Sequence, residues 1–464
     1  MPLALVSTLA VHAGEPKWIA LHNQHFNVYS SAGERTTKAM LGQFERVRGF
    51  FVEVTHTKDD QVAPVSVLIF GTPKEYQPYR LNGFATAYYS NQYDRDFIVV
   101  GDADDERALT ASHEFTHLVM QHAGFKLPPW LNEGIADLFS TLHAVGEETV
   151  FGSPLPGRLW STYRGAWYPL ADILAADQNS PYYNDADKAD GFYAESWALV
   201  HMLATTREYM PKFWDVVRAI DQGMPSAQAL EAAYGMPLAK IEDLLKYYVH
   251  GDRFNELRVR IPLERVDNLP SAPAELADVH ELQAEVLMGL KGRRDEARAR
   301  LEELRSQDPA KPSPWANLGF LDWRDGKREE AEADFDKAFD LGGRSPRMLM
   351  ELAMLAQSER KERACEALRA LLEVNPGDTD ARLFLGNLLM ARHQVAEAVA
   401  ATKSITAVKT ASQRDQLLYL RALAALQLGE KAAAISNAEQ LRDKTDSDSM
   451  RENAAQVIRA AGQP

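Results

Sequence analysis

The chain has a single cysteine, Cys365, among its 464 residues. One thiol excludes an intrachain disulfide and a cysteine-built zinc cluster, and its place in the amphipathic run Glu362 to Leu372 makes it a small core residue. No apolar run reaches the roughly 18 residues needed to span a bilayer. Basic charge is in short supply: 51 Lys and Arg stand against 66 Asp and Glu, a net charge of -15, so the basic footprint that nucleic acid requires is missing. There is no Gly-rich phosphate loop and no G-x-S-x-G elbow, which leaves nucleotide and serine-hydrolase readings without support. A basic segment is also lacking near the N-terminus, although Pro2 to Val11 is almost all apolar or small and Val11-His12-Ala13 has the small-x-small form of a cleavage site. Residues 1–13 are read as a clipped signal peptide of a periplasmic or secreted protein; an ordinary N-terminal strand or tail, in a cytoplasmic protein, is the alternative.

What is present is a globular composition, 45% apolar and 25% charged, in a chain long enough for two or three domains. His25 to Ser30 alternates like a strand, residues 33–54 carry Met40, Leu41, Phe44, Val47, Phe50 and Phe51 at helical spacing, and Pro64 to Phe70 reads as a second strand. Residues 83–100 show a hairpin pattern broken at Asn91 to Asp96. Residues 14–103 are thus expected to be α+β. From Asp104 helical periodicity dominates through about Tyr248, within a helical part taken as 104–260, interrupted by an irregular stretch from Gly146 to Gly165 that suits a cleft wall. Residues 261–275, with Pro262, Pro270 and Pro273, read as a linker.

From 276 to 464 a period near 34 appears. Trp315, Leu318, Gly319, Ala331, Phe335 and Ala338 lie at tetratricopeptide (TPR) spacings. A similar frame recovers Ala297, Leu301, Leu304 and Pro309 before them, and Leu352, Ala353, Ala364, Leu368 and Pro376 after them. It runs on through Leu385, Gly386, Leu389 and Ala398 to a weaker unit with Gly429 and Ala434. About five helix pairs are expected to stack into an all-α superhelix with a concave face suited to a protein partner.

The chemistry concentrates in His113-Glu114-Phe115-Thr116-His117. On a helix, residues four apart share a face, so both imidazoles can reach one ion with Glu114 beside it. The pentapeptide alone would arise by chance in roughly one such chain in fifty. Catalytic zinc takes a third protein ligand, and Glu133 supplies it: Gly124, Pro128 and Pro129 force a turn, and a second helix restarting at Trp130 can present Glu133 to the same ion. Asp137, one turn on, is placed to accept the outer N–H of a ligating His. One Zn2+ per chain is expected, with Glu114 as the base that takes the proton of an activated water.

These residues carry a family resemblance. His113 to Asp137 resembles a gluzincin zinc peptidase, and Pro129-Trp130-Leu131-Asn132-Glu133-Gly134-Ile135-Ala136 is similar to the signature of the peptidase MA-like group, whose members are often joined to TPR repeats. The resemblance runs from about Trp18 to Tyr248 and departs in having fewer residues between the second His and the Glu than the family's best-studied branches. It implies a mainly α catalytic part, peptide-bond hydrolysis on a peptide or protein substrate, a Tyr or His from a later helix as oxyanion donor, for which Tyr193 is the candidate, and an edge strand that pairs with peptide, for which Phe84 to Ser90 could serve. An inner strand is the other reading of that segment. The alternative function is a non-catalytic scaffold that works through its repeats and keeps a metalloprotease-like domain for structure. His122, His143 and the acidic loop Asp185, Asp187 and Asp190 are weaker candidates: His122 falls off the metal face, and the loop lacks the glycine and closing glutamate of a calcium site.

Overall fold

The computed structural model describes residues 16–55, 64–82, 85–92, 95–101, 105–165, 167–251, 253–261 and 266–462. The expectation for residues 1–13, and those resting on Gly83, Phe84, Asp104 and Pro262, lie outside them. The chain divides into two compact units, the first ending at Leu282 and the second beginning at Gln283.

The first unit opens with β1 (Ile19–His22) and β2 (Phe26–Ser30), an antiparallel pair with Ile19 opposite Ser30. α1 (Glu34–Thr55) crosses to β3 (Val65–Phe70), which runs parallel to β2. All six residues of β3 are buried, as expected of a strand covered on both faces. A short α2 (Pro73–Tyr76) and a 3-10 turn lead to β4 (Ala87–Gln92) and β5 (Arg95–Gly101), the latter parallel to β3. Strand order is β4-β5-β3-β2-β1-β9, where β9 is Ala272–Pro273, so β4 is an outer strand.

α3 (Asp105–His122) and α4 (Pro129–Ser140) follow. The faces that α1 and α3 turn to the sheet are set by aromatics: Phe26 of β2, Phe44 of α1 and Phe115 of α3 form a triangle with ring centroids 5.3–5.8 Å apart. Phe50 and Phe51 of α1 clasp Phe139 of α4 at 4.7 and 5.0 Å. Each such buried ring contributes about 1.5–3 kcal/mol, which fixes both helices against α1. α3 stops at Gly124, whose φ of +82° is the left-handed conformation. The N–H of Gly124 bonds to Gln121 O and that of Phe125 to Met120 O, a Schellman closure. Pro128 then caps α4 and Pro129 takes its first position, where a missing N–H costs nothing.

Beyond α4 come β6 (His143–Val145), β7 (Glu148–Phe151), α5 (Pro156–Arg164), α6 (Leu170–Ala175), α7 (Pro181–Asn184), α8 (Ala186–Thr205), α9 (Met210–Asp221), α10 (Ser226–Tyr234), α11 (Leu238–His250) and β8 (Leu257–Val259). The stretch read as irregular, 146–165, thus contains a strand and a helix: β7 pairs with β6 and β8, and α5 packs on α8. Its glycines and prolines mark turns between short elements. Residues 261–275, read as a linker, carry β9, which closes the sheet of the first unit against β1.

The second unit is a run of helix pairs. α12 (Leu276–Gly289), which begins before the unit boundary, is followed by α13 (Arg294–Gln307), whose Arg300 donates to Gln283 at 3.3 Å. α14 (Pro312–Arg324) pairs with α15 (Arg328–Asp340), α16 (Pro346–Ala356) with α17 (Lys361–Val374), α18 (Thr379–Ala391) with α19 (Val395–Lys403), and α20 (Ala411–Gln427) with α21 (Lys431–Lys444). α22 (Asp448–Gly462) packs on the last pair. These are TPR-type pairs: the first helices begin at Pro312, Pro346 and Thr379, close to the 34-residue period. Gly319 makes room for its pair's second helix, since a Cβ there would lie 2.7 Å from the Phe335 ring. Trp315, read as core, is only half-buried and lies under the Arg305 guanidinium at 4.8 Å. Cys365 is fully buried. No helix among the described residues is long and apolar enough to cross a membrane.

Candidate metal centre

His113 and His117 sit one turn apart on α3 and face α4, where Glu133 and Asp137 sit one turn apart in turn. The two helices pack directly, and α4 is pressed from behind by α8 at Gly134: a Cβ at that position would meet Val200 Cγ2 at 2.5 Å and the Ser196 carbonyl at 2.6 Å. Only glycine lets α4 sit that deep.

Three atoms converge between the helices. His113 Nε2 is 3.1 Å from His117 Nε2 and 3.2 Å from Glu133 Oε2, and His117 Nε2 is 3.4 Å from the same oxygen. Zinc bound tetrahedrally at about 2.0–2.1 Å separates its ligand atoms by about 3.4 Å, so a point within bonding distance of all three exists. Two imidazole nitrogens and one carboxylate oxygen are also the donor set of a catalytic zinc site, and His113, His117 and Glu133 would hold the ion.

The surroundings set the charge of these groups. Burial favours neutral His113, but Asp137 and Glu133 outweigh it and hold the imidazolium up to about 10. Burial likewise opposes charge on Glu133, yet its bonds to His113 and His117 drive its carboxyl far below the usual range. Asp137 accepts from His113 Nδ1 at 2.9 Å and from Arg158 of α5 through Nε at 2.6 Å and Nη2 at 3.3 Å. Against burial, those two partners keep Asp137 ionised well below its ordinary pKa. The Arg158 guanidinium also lies over the Tyr193 ring at 4.9 Å. His117 has no comparable support: its Nδ1 is buried without a hydrogen-bond partner among the described residues.

Glu114, half-buried, reaches the outer strand β4, accepting the Tyr89 N–H at 3.4 Å. Tyr193, near the start of α8, is half-buried, and burial with the charge of Glu133 pushes its phenol up to about 12. Tyr183 of α7 donates to Glu133 Oε1 at 2.9 Å, its ring 5.9 Å from that of Tyr193. Arg158 and Tyr183 were not foreseen. The signal for Arg158 was Pro156 at the first position of a short helix; Tyr183 had none beyond the Ser180-Pro181 helix start.

The weaker candidates fall elsewhere. His122 pairs with Asp96 at 2.8 Å, which also accepts from the Tyr89 hydroxyl and Asn91, a cluster that ties β4 to the end of α3. His143 Nδ1 faces the Thr141 carbonyl. Asp185 caps α8 by accepting the Asp187 N–H, and Asp187 and Asp190 are helical, so this segment is a helix start rather than a cation loop.

No family model and no curated protein matches the chain. Solved structures similar to it include YrrB, described as a TPR protein with an unusual peptide-binding site, at 18% identity over 39% of this chain and 92% of that one with a TM-score of 0.34. A thermophilic TPR protein from Thermus thermophilus is 19% identical over 39% of this chain and 98% of that one, with a TM-score of 0.25. A tetratricopeptide repeat protein from Parabacteroides merdae is 17% identical over 55% and 100%, with a TM-score of 0.26. At such scores the description of the second unit as TPR-type rests on the chain's own helix pairs and period.

Proposed function

We propose that the first unit is a zinc-dependent peptidase of gluzincin type and that the repeat unit binds its substrate or a partner protein. The observation that carries this reading is the near-equilateral set of His113 Nε2, His117 Nε2 and Glu133 Oε2, with edges of 3.1–3.4 Å, with Glu114 adjacent in the chain and Asp137 behind His113. When bound, zinc would supply the Lewis acidity that polarises a peptide carbonyl and makes water nucleophilic near neutral pH. Glu114 then takes the proton from the attacking water at its carboxylate and passes it to the departing amine nitrogen. The Tyr193 hydroxyl donates to the oxygen on which charge develops. β4 is the outer strand of the sheet and its Tyr89 N–H reaches Glu114, so an extended peptide can add to the sheet beside Glu114.

The test compares full-length wild type with Glu114→Gln for zinc content and for cleavage of a peptide library. Equal stoichiometric zinc and at least about 100-fold slower cleavage by the variant are expected. Stoichiometric zinc in a wild type that cleaves nothing the variant spares would overturn the enzyme. The helix-pair repeats favour the second reading, a protein-interaction scaffold whose metal centre is structural, and that outcome would support it. A wild type that binds no zinc would sink the site itself.

A further inference from the structure

With His113, His117 and Glu133 as the ligand set, the two oxygens of Glu133 are not equivalent. Oε2 lies 3.2 and 3.4 Å from the two imidazole nitrogens, while Oε1 accepts the Tyr183 hydroxyl at 2.9 Å. A carboxylate can bind zinc through one oxygen or both, and the second oxygen takes up a position that catalysis needs for water or substrate. We propose that Tyr183 is a positioning residue that holds Glu133 to one-oxygen ligation and so keeps that position open; this rests on the zinc-peptidase reading above.

The clamp is itself braced. α7 is capped by the Ser180 hydroxyl, which accepts the Tyr182 N–H, and Asn184 Nδ2 bonds back to the Gln178 carbonyl at 2.6 Å. Tyr182 donates to Asp172 at 3.0 Å, and the Tyr183 ring packs against Phe192 with centroids 5.6 Å apart. For Oε1 to swing toward the ion, Glu133 would have to give up a charge-assisted hydrogen bond from a donor that cannot follow it. The second face of the site is held analogously, with Asp137 fixing the outer nitrogen of His113. Each of these two ligands therefore has one atom directed to the ion and the other occupied by protein.

Tyr183→Phe keeps the ring and removes only the donor. Full-length protein, stripped of metal and loaded with cobalt(II), reports coordination number directly, because visible cobalt bands are several-fold stronger in four-coordinate than in five-coordinate sites. The wild type is expected to bind one cobalt with a strong band. Tyr183→Phe is expected to bind one cobalt with a band several-fold weaker and with roughly 10-fold changed zinc affinity. Tyr193→Phe, which removes the neighbouring phenol, should keep the wild-type band. An unchanged band in Tyr183→Phe, or an equal loss in both variants, overturns the assignment to Tyr183. X-ray absorption on the zinc-loaded wild type gives a check independent of any variant's folding: two carboxylate oxygens at the ion overturn the clamp. If the wild type takes up neither metal, the zinc-peptidase reading fails as well; metal uptake without a spectral difference sinks this inference alone.

Discussion

Glu195 lies on α8 two residues beyond Tyr193, 4% exposed, with its carboxylate accepting the Tyr168 N–H at 2.8 Å. Burial pushes its carboxyl up to about 8 from an ordinary 4.5, against the pull of the Tyr168 N–H and Lys246. Between those two values the folded chain holds a proton that the unfolded chain releases. The stability this group contributes is therefore complete below about 4.5 and is lost as pH rises toward about 8, a change on the order of a few kcal/mol. Glu195→Gln keeps an acceptor for Tyr168 and abolishes the titration. Urea midpoints at pH 5 and pH 8 should converge with the wild type at the lower pH and favour the variant at the higher one; parallel pH profiles would refute this. At the same scale, the sequence made His113, His117, Glu133 and Asp137 legible because each pair obeys helical spacing and the intervening Gly124, Pro128 and Pro129 dictate the turn. Arg158 and Tyr183 reach the site from α5 and α7, through packing on α8 that no local pattern encodes.

Among the elements, α4 is the one whose position decides the site, and Gly134 decides the position of α4. An alanine there would place its Cβ 2.6 Å from the Ser196 carbonyl, a backbone atom that cannot rotate away, so α4 and α8 must part. Gly134→Ala is expected to destabilise the first unit by about 1–3 kcal/mol and to withdraw Glu133 from the imidazoles. A lowered denaturation midpoint together with reduced zinc content would show this; full zinc loading at wild-type stability would contradict it. Most long elements were readable, α1 and β3 from their periodicity and burial pattern. The order β4-β5-β3-β2-β1 was not, because the parallel pairing of β2, β3 and β5 depends on crossovers rather than on neighbours in the chain. β4 is accordingly identified as an outer strand only once the sheet is assembled.

For the molecule as a whole, the two units are built on different principles. In the repeat unit each helix pair contacts chiefly its neighbours, so its stability is close to a sum of local terms. Gly319 and Gly386 lie in pairs separated by α16 and α17, and a Cβ at either would come within 2.7 Å of a side chain, Phe335 or Leu420. Gly319→Leu and Gly386→Leu should each cost about 1–3 kcal/mol, and the double variant close to their sum, read from denaturant midpoints. A markedly larger loss would refute nearest-neighbour stacking. The 34-residue period made this unit legible from sequence alone. The first unit instead joins residues far apart: β9, at Ala272–Pro273, pairs with Ile19 and Ala20 of β1, and the Ala274 N–H reaches the Trp18 carbonyl at 3.0 Å. During synthesis, the first strand therefore leaves the ribosome long before its outermost partner exists. The nascent sheet carries an unsealed edge until some 250 further residues have been made. Until then that edge is open to pairing with another chain.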